Sequence, residues 1–274
     1  MEEHLNYICV GSGNTNLVFL HGLAADSGFW LPLISLFDKS RYTIHLLDLK
    51  GHGKSTFNNL SCLPSLLSKE VSSLLSEKNL TSFSLVGHSF GGRVALNLLN
   101  AMPSINIRSI FILDTYWPEF QERPSIKNVA SRSKGNNDQS LMSDENEPIS
   151  ATQAFQLMRS RMKSTDHKIK KKNRSNNLAT WEKIISDNEL SPILDKEIDE
   201  LVECELIKPF AKKTKLIYGS DSLFLSSGID ASKYFNMKLT VLPMARHFFP
   251  RHQAVETADL IRQTIEQSDL DETQ

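Results

Sequence analysis

The stretch "SLVGHSFGGRVAL", Ser84 to Leu96, runs from an apolar β-rich segment into an apolar helical one, with Gly87, Gly91 and Gly92 crowded around Ser89 at the join. A G-x-S-x-G sequence between a strand and a helix puts its serine in a sharp, strained turn. The positions two before and two after it lack side chains because strand and helix approach each other closely there. The expected result is a hydroxyl raised above the edge of a sheet, with the Phe90 N–H at the helix N-terminus facing a site for an anion. The sequence also arises by chance, as a serine in a glycine-rich turn. Its place after "SFSLV" and before "RVALNLL" is what carries the reading.

Outward from this turn, "TNLVFLHG", "YTIHLLDLKGHG", "SFSLVGHS" and "IRSIFILDT" are apolar on successive residues, as strands buried on both faces should be. Helical runs lie between them. "LPSLLSKEVSSLLSEKN" sets Leu67, Val71, Leu74 and Leu75 on one face, and "GGRVALNLLNAMP" stops before Pro103. The alternation predicts an α/β class chain with a mostly parallel, doubly wound sheet. It breaks after Asp114 and resumes at "KTKLIYGSDS" and "MKLTVLPMARH". The gap of roughly a hundred residues is too long for a bare loop. The expected organisation is a core of residues 1–116 and 211–274 and a helical lid of residues 117–210 over the carboxyl edge of the sheet. Phe155, Met158 and Met162 recur at helical spacing within it. The polar segment near 124–148 is expected to be mobile, and the basic run "KIKKKNR", Lys168 to Arg174, to be a solvated turn of the lid.

The 274 residues carry a net charge of −1, which gives no electrostatic footprint for nucleic acid or an anionic membrane. The N-terminal "MEEHLNYICVGSG" lacks the order of a signal peptide, and no apolar run reaches the ~18 residues of a membrane span. Cys9, Cys62 and Cys204 are odd in number and without metal-ligand spacing. A cytoplasmic protein with reduced, structural thiols, no metal and no cofactor is expected.

These segments together resemble the α/β-hydrolase superfamily over residues 5–114 and 214–265, in the family's order. "FLHGLAADSGFW" is similar to the family's His-Gly oxyanion loop, "DLKGHGKS" to its D-x-x-G-x-G-x-S loop, and "ARHFFPRHQAVETADLI" to the segment that carries its catalytic histidine. The resemblance implies the α/β-hydrolase fold, with the lid between strands six and seven of the family's count. It implies Ser89 as nucleophile, His247 as base, and the N–H groups of Leu23 and Phe90 as oxyanion hole. His21 and His88 are weaker candidates for the base, and Asp48 and His52 are expected to be structural. A serine needs such a base because its hydroxyl is too weakly acidic to attack an acyl carbon at neutral pH unaided.

The base needs a carboxylate partner in turn. Most of the family read G-x-x-D after strand seven, whereas this chain reads "YGSDSLFLSS", which places Ser222 at the expected position and Asp221 one residue early. Asp221 is the first choice for the acid. Asp114 in "FILDTYWP", at the end of strand six, is the alternative.

A serine nucleophile points to a hydrolase for a carboxylic ester or thioester, acting on a small-molecule acyl substrate. Leu23, Phe29, Trp30, Phe90, Tyr116 and Trp117 are candidates for the pocket wall, with Tyr116 and Trp117 assigned to the substrate. Arg93, directly after the double glycine, resembles the arginine of the menaquinone-pathway synthase, which helps bind substrate carboxylates. A lyase or C–C hydrolase acting on a carboxylate substrate is therefore an alternative, unless Arg93 pairs with a lid carboxylate. A hydrolase-fold ligand receptor with little turnover is another.

Overall fold

The computed structural model describes residues 4–56, 61–102, 105–120, 148–163 and 178–271. All but the last residue of the polar segment near 124–148 lies outside them, as do the basic run at 168–174 and the side chains of Met158 and Met162. Seven strands form one sheet: β1 (Tyr7–Val10), β2 (Thr15–Leu20), β3 (Tyr42–Leu47), β4 (Ser82–His88), β5 (Asn106–Leu113), β6 (Thr214–Gly219) and β7 (Lys238–Leu242). Their order is β1-β3-β2-β4-β5-β6-β7, with β1 antiparallel to β3 and every other pairing parallel.

Strand side chains alternate between two apolar layers. Leu17 and Phe19 of β2, Val86 of β4, and Phe111 and Leu113 of β5 belong to one buried cluster. Val18 and Leu20, Phe83 and Leu85, and Ile110 and Ile112 belong to the other. Both faces are covered, so the strands read as unbroken apolar runs. The first layer is closed by the short helix α1 (Leu31–Ile34) and by Ala258, Ile261 and Ile265, which lie within the span of the C-terminal helix. The second is closed by α2 (Pro64–Glu77) through Leu67, Val71 and Leu75, and by α3 (Phe90–Ala101) through Val94 and Leu98. Each such leucine removed from water contributes about 2 kcal/mol.

The insertion expected between strands six and seven of the family's count lies between β5 and β6 here, because the described residues hold seven strands. It contains α4 (Ala151–Lys163), α5 (Leu178–Ile185), α6 (Leu190–Ile198) and α7 (Cys204–Ile207). Its apolar side chains, among them Phe155, Trp181, Ile184, Leu194 and Ile198, join the same cluster as α2 and α3. Trp181 donates from Nε1 to the Gly51 carbonyl at 2.9 Å and stacks on His52. Glu197 and Glu200 accept the backbone N–H groups of Cys62 and Ser65 at 2.6 and 2.8 Å and so satisfy donors at the start of α2, whose own N-cap residue makes no side-chain bond. Helix α8 (Leu225–Phe235), the short α9 (Phe249–His252) and α10 (Ala254–Asp271) complete the chain.

The connections from β2 and β4 leave toward opposite sides of the sheet, β2 to its neighbour β3 and β4 to its neighbour β5. A crevice opens at the carboxyl ends of two strands that diverge in this way. The turns at Gly22 and Ser89 meet there.

Candidate active site

Ser89 stands at the N-cap of α3 with φ +54° and ψ −121°. This is an unfavourable backbone state for a residue with a Cβ, costing about 1–3 kcal/mol. Local packing enforces it. A Cβ at Gly87 would sit 2.6 Å from the Gly91 carbonyl oxygen, and one at Gly91 would run into the carbonyls of Leu20 and His21. The Ser89 N–H donates to the Leu113 carbonyl at 2.8 Å, and its own carbonyl accepts from the Thr115 hydroxyl at 3.0 Å. Phe90 opens α3, so its N–H is among those without an intrahelical acceptor. Gly22 lies close by, where a Cβ would be 3.2 Å from that of Ser89, and Leu23 follows it.

His247 lies in the turn between β7 and α9 and is 6% exposed. Its Nδ1 is 2.7 Å from Asp114 Oδ2. Asp114 follows β5, is fully buried and has φ +48°, a conformation that Asp tolerates better than most residues. It also accepts the Ser222 hydroxyl at 2.6 Å and the Gly219 N–H at 3.2 Å. With the carboxylate accepting, Nδ1 carries the ring proton and Nε2 carries the lone pair. Asp221 is not part of this cluster. Its N–H donates to the Ala245 carbonyl at 2.9 Å, its side chain accepts from the Ser220 hydroxyl at 3.1 Å, and the residue is exposed. Ser222, at the position the resemblance reserves for an acid, supports Asp114 instead. The sequence signal for Ser222 was its departure from G-x-x-D.

The other loop histidines hold the site's shape. His21 accepts the Leu49 N–H at Nε2, 3.0 Å, and donates from Nδ1 to the Gly22 carbonyl at 2.8 Å, while burial lowers its pKa. Asp48 accepts the N–H groups of Ser27 and Lys54 at 2.6 and 2.9 Å. Burial would raise its carboxyl pKa, and those bonds outweigh it and hold it below the usual range. His52 is buried between Trp181 and Phe90, and burial, with help from His21, pushes it down to about 3. His88 donates from Nε2 to the His247 carbonyl at 2.8 Å and stacks on Phe29. Burial first and the neighbouring His247 second keep His88 well below its ordinary pKa.

A cleft of about 620 Å³, counting its open mouth, joins these groups. Ser89, His247, Leu23, Phe90, Phe29, Tyr116 and Arg93 line it, together with Phe155, Ile198 and Asp199 from the insertion. Phe224 and Phe248, which sequence reasoning missed, flank the His247 ring at 5.2 and 4.9 Å. Trp117 is not in the wall: it is fully buried, donates from Nε1 to the Tyr218 hydroxyl at 2.9 Å and packs on Phe235. Trp30 is likewise buried, against Phe19 and Phe29. Arg93 is 3% exposed and forms a bidentate pair with Glu119, at 2.9 and 2.7 Å, and also donates to the Glu200 carbonyl.

A family model described as alpha/beta hydrolase fold matches residues 15–250. Over 87 residues the chain is 36% identical to a 2-succinyl-6-hydroxy-2,4-cyclohexadiene-1-carboxylate synthase of Photorhabdus laumondii, covering 30% of this chain and 28% of that protein. Over 94 residues it is 33% identical to a pimeloyl-(acyl-carrier protein) methyl ester esterase of Wigglesworthia glossinidia brevipalpis, covering 34% of each. The matched stretch thus spans about a third of these curated relatives. Among solved structures, a thermophilic esterase from Thermogutta terrifontis superposes with a TM-score of 0.64 at 16% identity, covering 96% of this chain and 93% of that one. A bromoperoxidase from Bacillus anthracis gives 0.66 at 17%, covering 96% and 95%. At these identities the likeness speaks for the fold.

Proposed function

The chain belongs to the alpha/beta hydrolase fold family, and from that premise we propose that it is a serine hydrolase cleaving a carboxylic ester or thioester through an acyl-enzyme on Ser89. The observation that carries the reading is that the strained Ser89 turn and the 2.7 Å Asp114–His247 pair open into one largely apolar cleft. His247 Nε2, the nitrogen that Asp114 does not hold, takes the Ser89 proton as Oγ attacks the acyl carbon. The N–H groups of Leu23 and Phe90 receive the oxyanion, each worth about 3 kcal/mol of barrier. His247 then returns the proton to the leaving alcohol or thiol. A water then gives a proton to Nε2 as its oxygen bonds to the acyl carbon, and the tetrahedral centre collapses by breaking its bond to Ser89 Oγ, which takes that proton back from His247 as the acid leaves. Asp114 stays ionised throughout and stabilises the imidazolium. The insertion between β5 and β6 roofs the acyl side of the cleft in this reading.

The alternative of a lyase or C–C hydrolase on a carboxylate substrate draws on the relative named as a carboxylate synthase. It would use the Arg93 fork, which Glu119 occupies. Fluorophosphonate labelling and p-nitrophenyl ester hydrolysis test the proposal. Labelling and turnover in the wild type, both absent in Ser89→Ala, are expected. An unlabelled wild type would favour the ligand receptor.

A further inference from the structure

Arg93 contributes the cleft's guanidinium, and the structure has already taken up most of it. Both terminal nitrogens are held by the Glu119 carboxylate, and Nη2 also donates to the Glu200 carbonyl. Glu119 is held in turn, since its Oε1 accepts the Val202 N–H at 2.6 Å and its side chain is 6% exposed. The strand of chain beside the pair is pinned to the core through Glu197 and Glu200 on the start of α2. Asp199, on the same stretch, is a carboxylate of the cleft wall itself.

We propose that the buried Arg93–Glu119 pair makes the acyl pocket selective for uncharged acyl groups, with Glu119 as the residue that enforces the choice. The inference rests on the serine hydrolase reading and narrows its substrate class. A carboxylate on the acyl chain would have to displace Glu119 from a bidentate fork, leaving a buried carboxylate without its cation. Arg93 Nε is buried and has no hydrogen-bond partner among the described residues.

The test compares p-nitrophenyl butyrate with mono-p-nitrophenyl succinate, which share a leaving group and chain length and differ in the terminal carboxylate. The wild type should favour the butyrate in kcat/KM by about 100-fold, the scale of leaving one member of a buried charge pair unpaired. Glu119→Gln keeps an acceptor for the Val202 N–H, frees part of the guanidinium and should narrow the ratio to within about tenfold by raising the succinate rate. A wild type that treats the esters within tenfold of each other, or a folded Glu119→Gln with an unchanged ratio, overturns the proposal. Should Glu119→Gln fail to fold, a folded Glu119→Asp, whose shorter side chain loosens the fork, is read by the same criterion. Ser89→Ala, titrated with methyl butyrate and monomethyl succinate and followed by tryptophan fluorescence, reads the same preference without turnover; equal signals overturn it. A protein that hydrolyses neither ester but binds the butyrate selectively sinks the hydrolase reading and leaves the pocket assignment standing.

Discussion

Asp114 Oδ2 and His247 Nδ1 are 2.7 Å apart across 133 residues of chain, and Asp114 is the more deeply buried of the two. If this pair orients the base, Asp114→Asn should lower kcat by about 10⁴-fold with the fold retained, because an amide stabilises the wrong imidazole tautomer. Asp221→Asn should stay within a factor of about two of wild type, its side chain being exposed and bonded to Ser220. Ester hydrolysis by the two purified variants checks the ranking, and greater loss in Asp221→Asn would return the acid to the loop after β6.

Ser222 supplies one of the three hydrogen bonds that the Asp114 side chain accepts among the described residues. Ser222→Ala should therefore slow turnover by about tenfold, the worth of one hydrogen bond to a charged group. Ser222→Thr, which keeps the hydroxyl, should recover part of it. Equal kcat in all three proteins would show that the other two bonds suffice to hold Asp114.

Much of this was legible in the sequence because the physics involved is local. Strands buried on both faces read as apolar runs, and the turn at Ser89 needs glycine wherever strand and helix touch. The choice of acid was not legible. β5 and β6 are adjacent and parallel, so Asp114 and Asp221 both end up near the carboxyl edge, and chain order allows either. What separates them is that Asp114 turns inward at φ +48° whereas the Asp221 N–H is tied to Ala245. Tyr116 and Trp117 divide in the same way: consecutive side chains leave the chain in different directions, one into the cleft and the other into the core. The partner of Arg93 depends on how the insertion packs, which no motif encodes.

Gly91→Ala should yield little folded protein. The added methyl group would meet backbone carbonyls of β2 and the turn after it, at Leu20 and His21, where no side-chain rotation relieves the clash. Destabilisation beyond about 3 kcal/mol is expected. Thermal unfolding with a Tm near that of wild type would mean that α3 and β2 can separate more readily than their packing implies.

Stability should fall steeply with acid, beginning well above the range where carboxylates titrate. His21, His45, His52 and His88 are buried as neutral rings, with pKa values lowered chiefly by burial, that of His45 to about 4 and that of His52 to about 3. In the unfolded chain each titrates near the ordinary imidazole value of about 6.5. Below that pH the unfolded state therefore binds more protons than the folded one, and the stability present at pH 7 drains away as the pH falls toward the folded values. With His45, His52 and His88 contributing one proton each, the slope approaches about 4 kcal/mol per pH unit, with half of it reached near pH 6.5, and His21 acts in the same direction. Protonation in the folded state is opposed at each ring: His21 Nε2 already accepts the Leu49 N–H and His45 Nδ1 the Tyr7 hydroxyl, while His52 Nε2 and His88 Nδ1 are buried with no acceptor among the described residues. Urea unfolding at pH 7, 6 and 5 measures the slope. His52→Phe keeps an aromatic ring against Trp181 and should reduce the slope by up to about 1.4 kcal/mol per unit, one proton's share. Equal unfolding midpoints at pH 7 and pH 5 would mean that these rings take up their protons without unfolding, and that the loops around Ser89 open far more easily than their burial indicates.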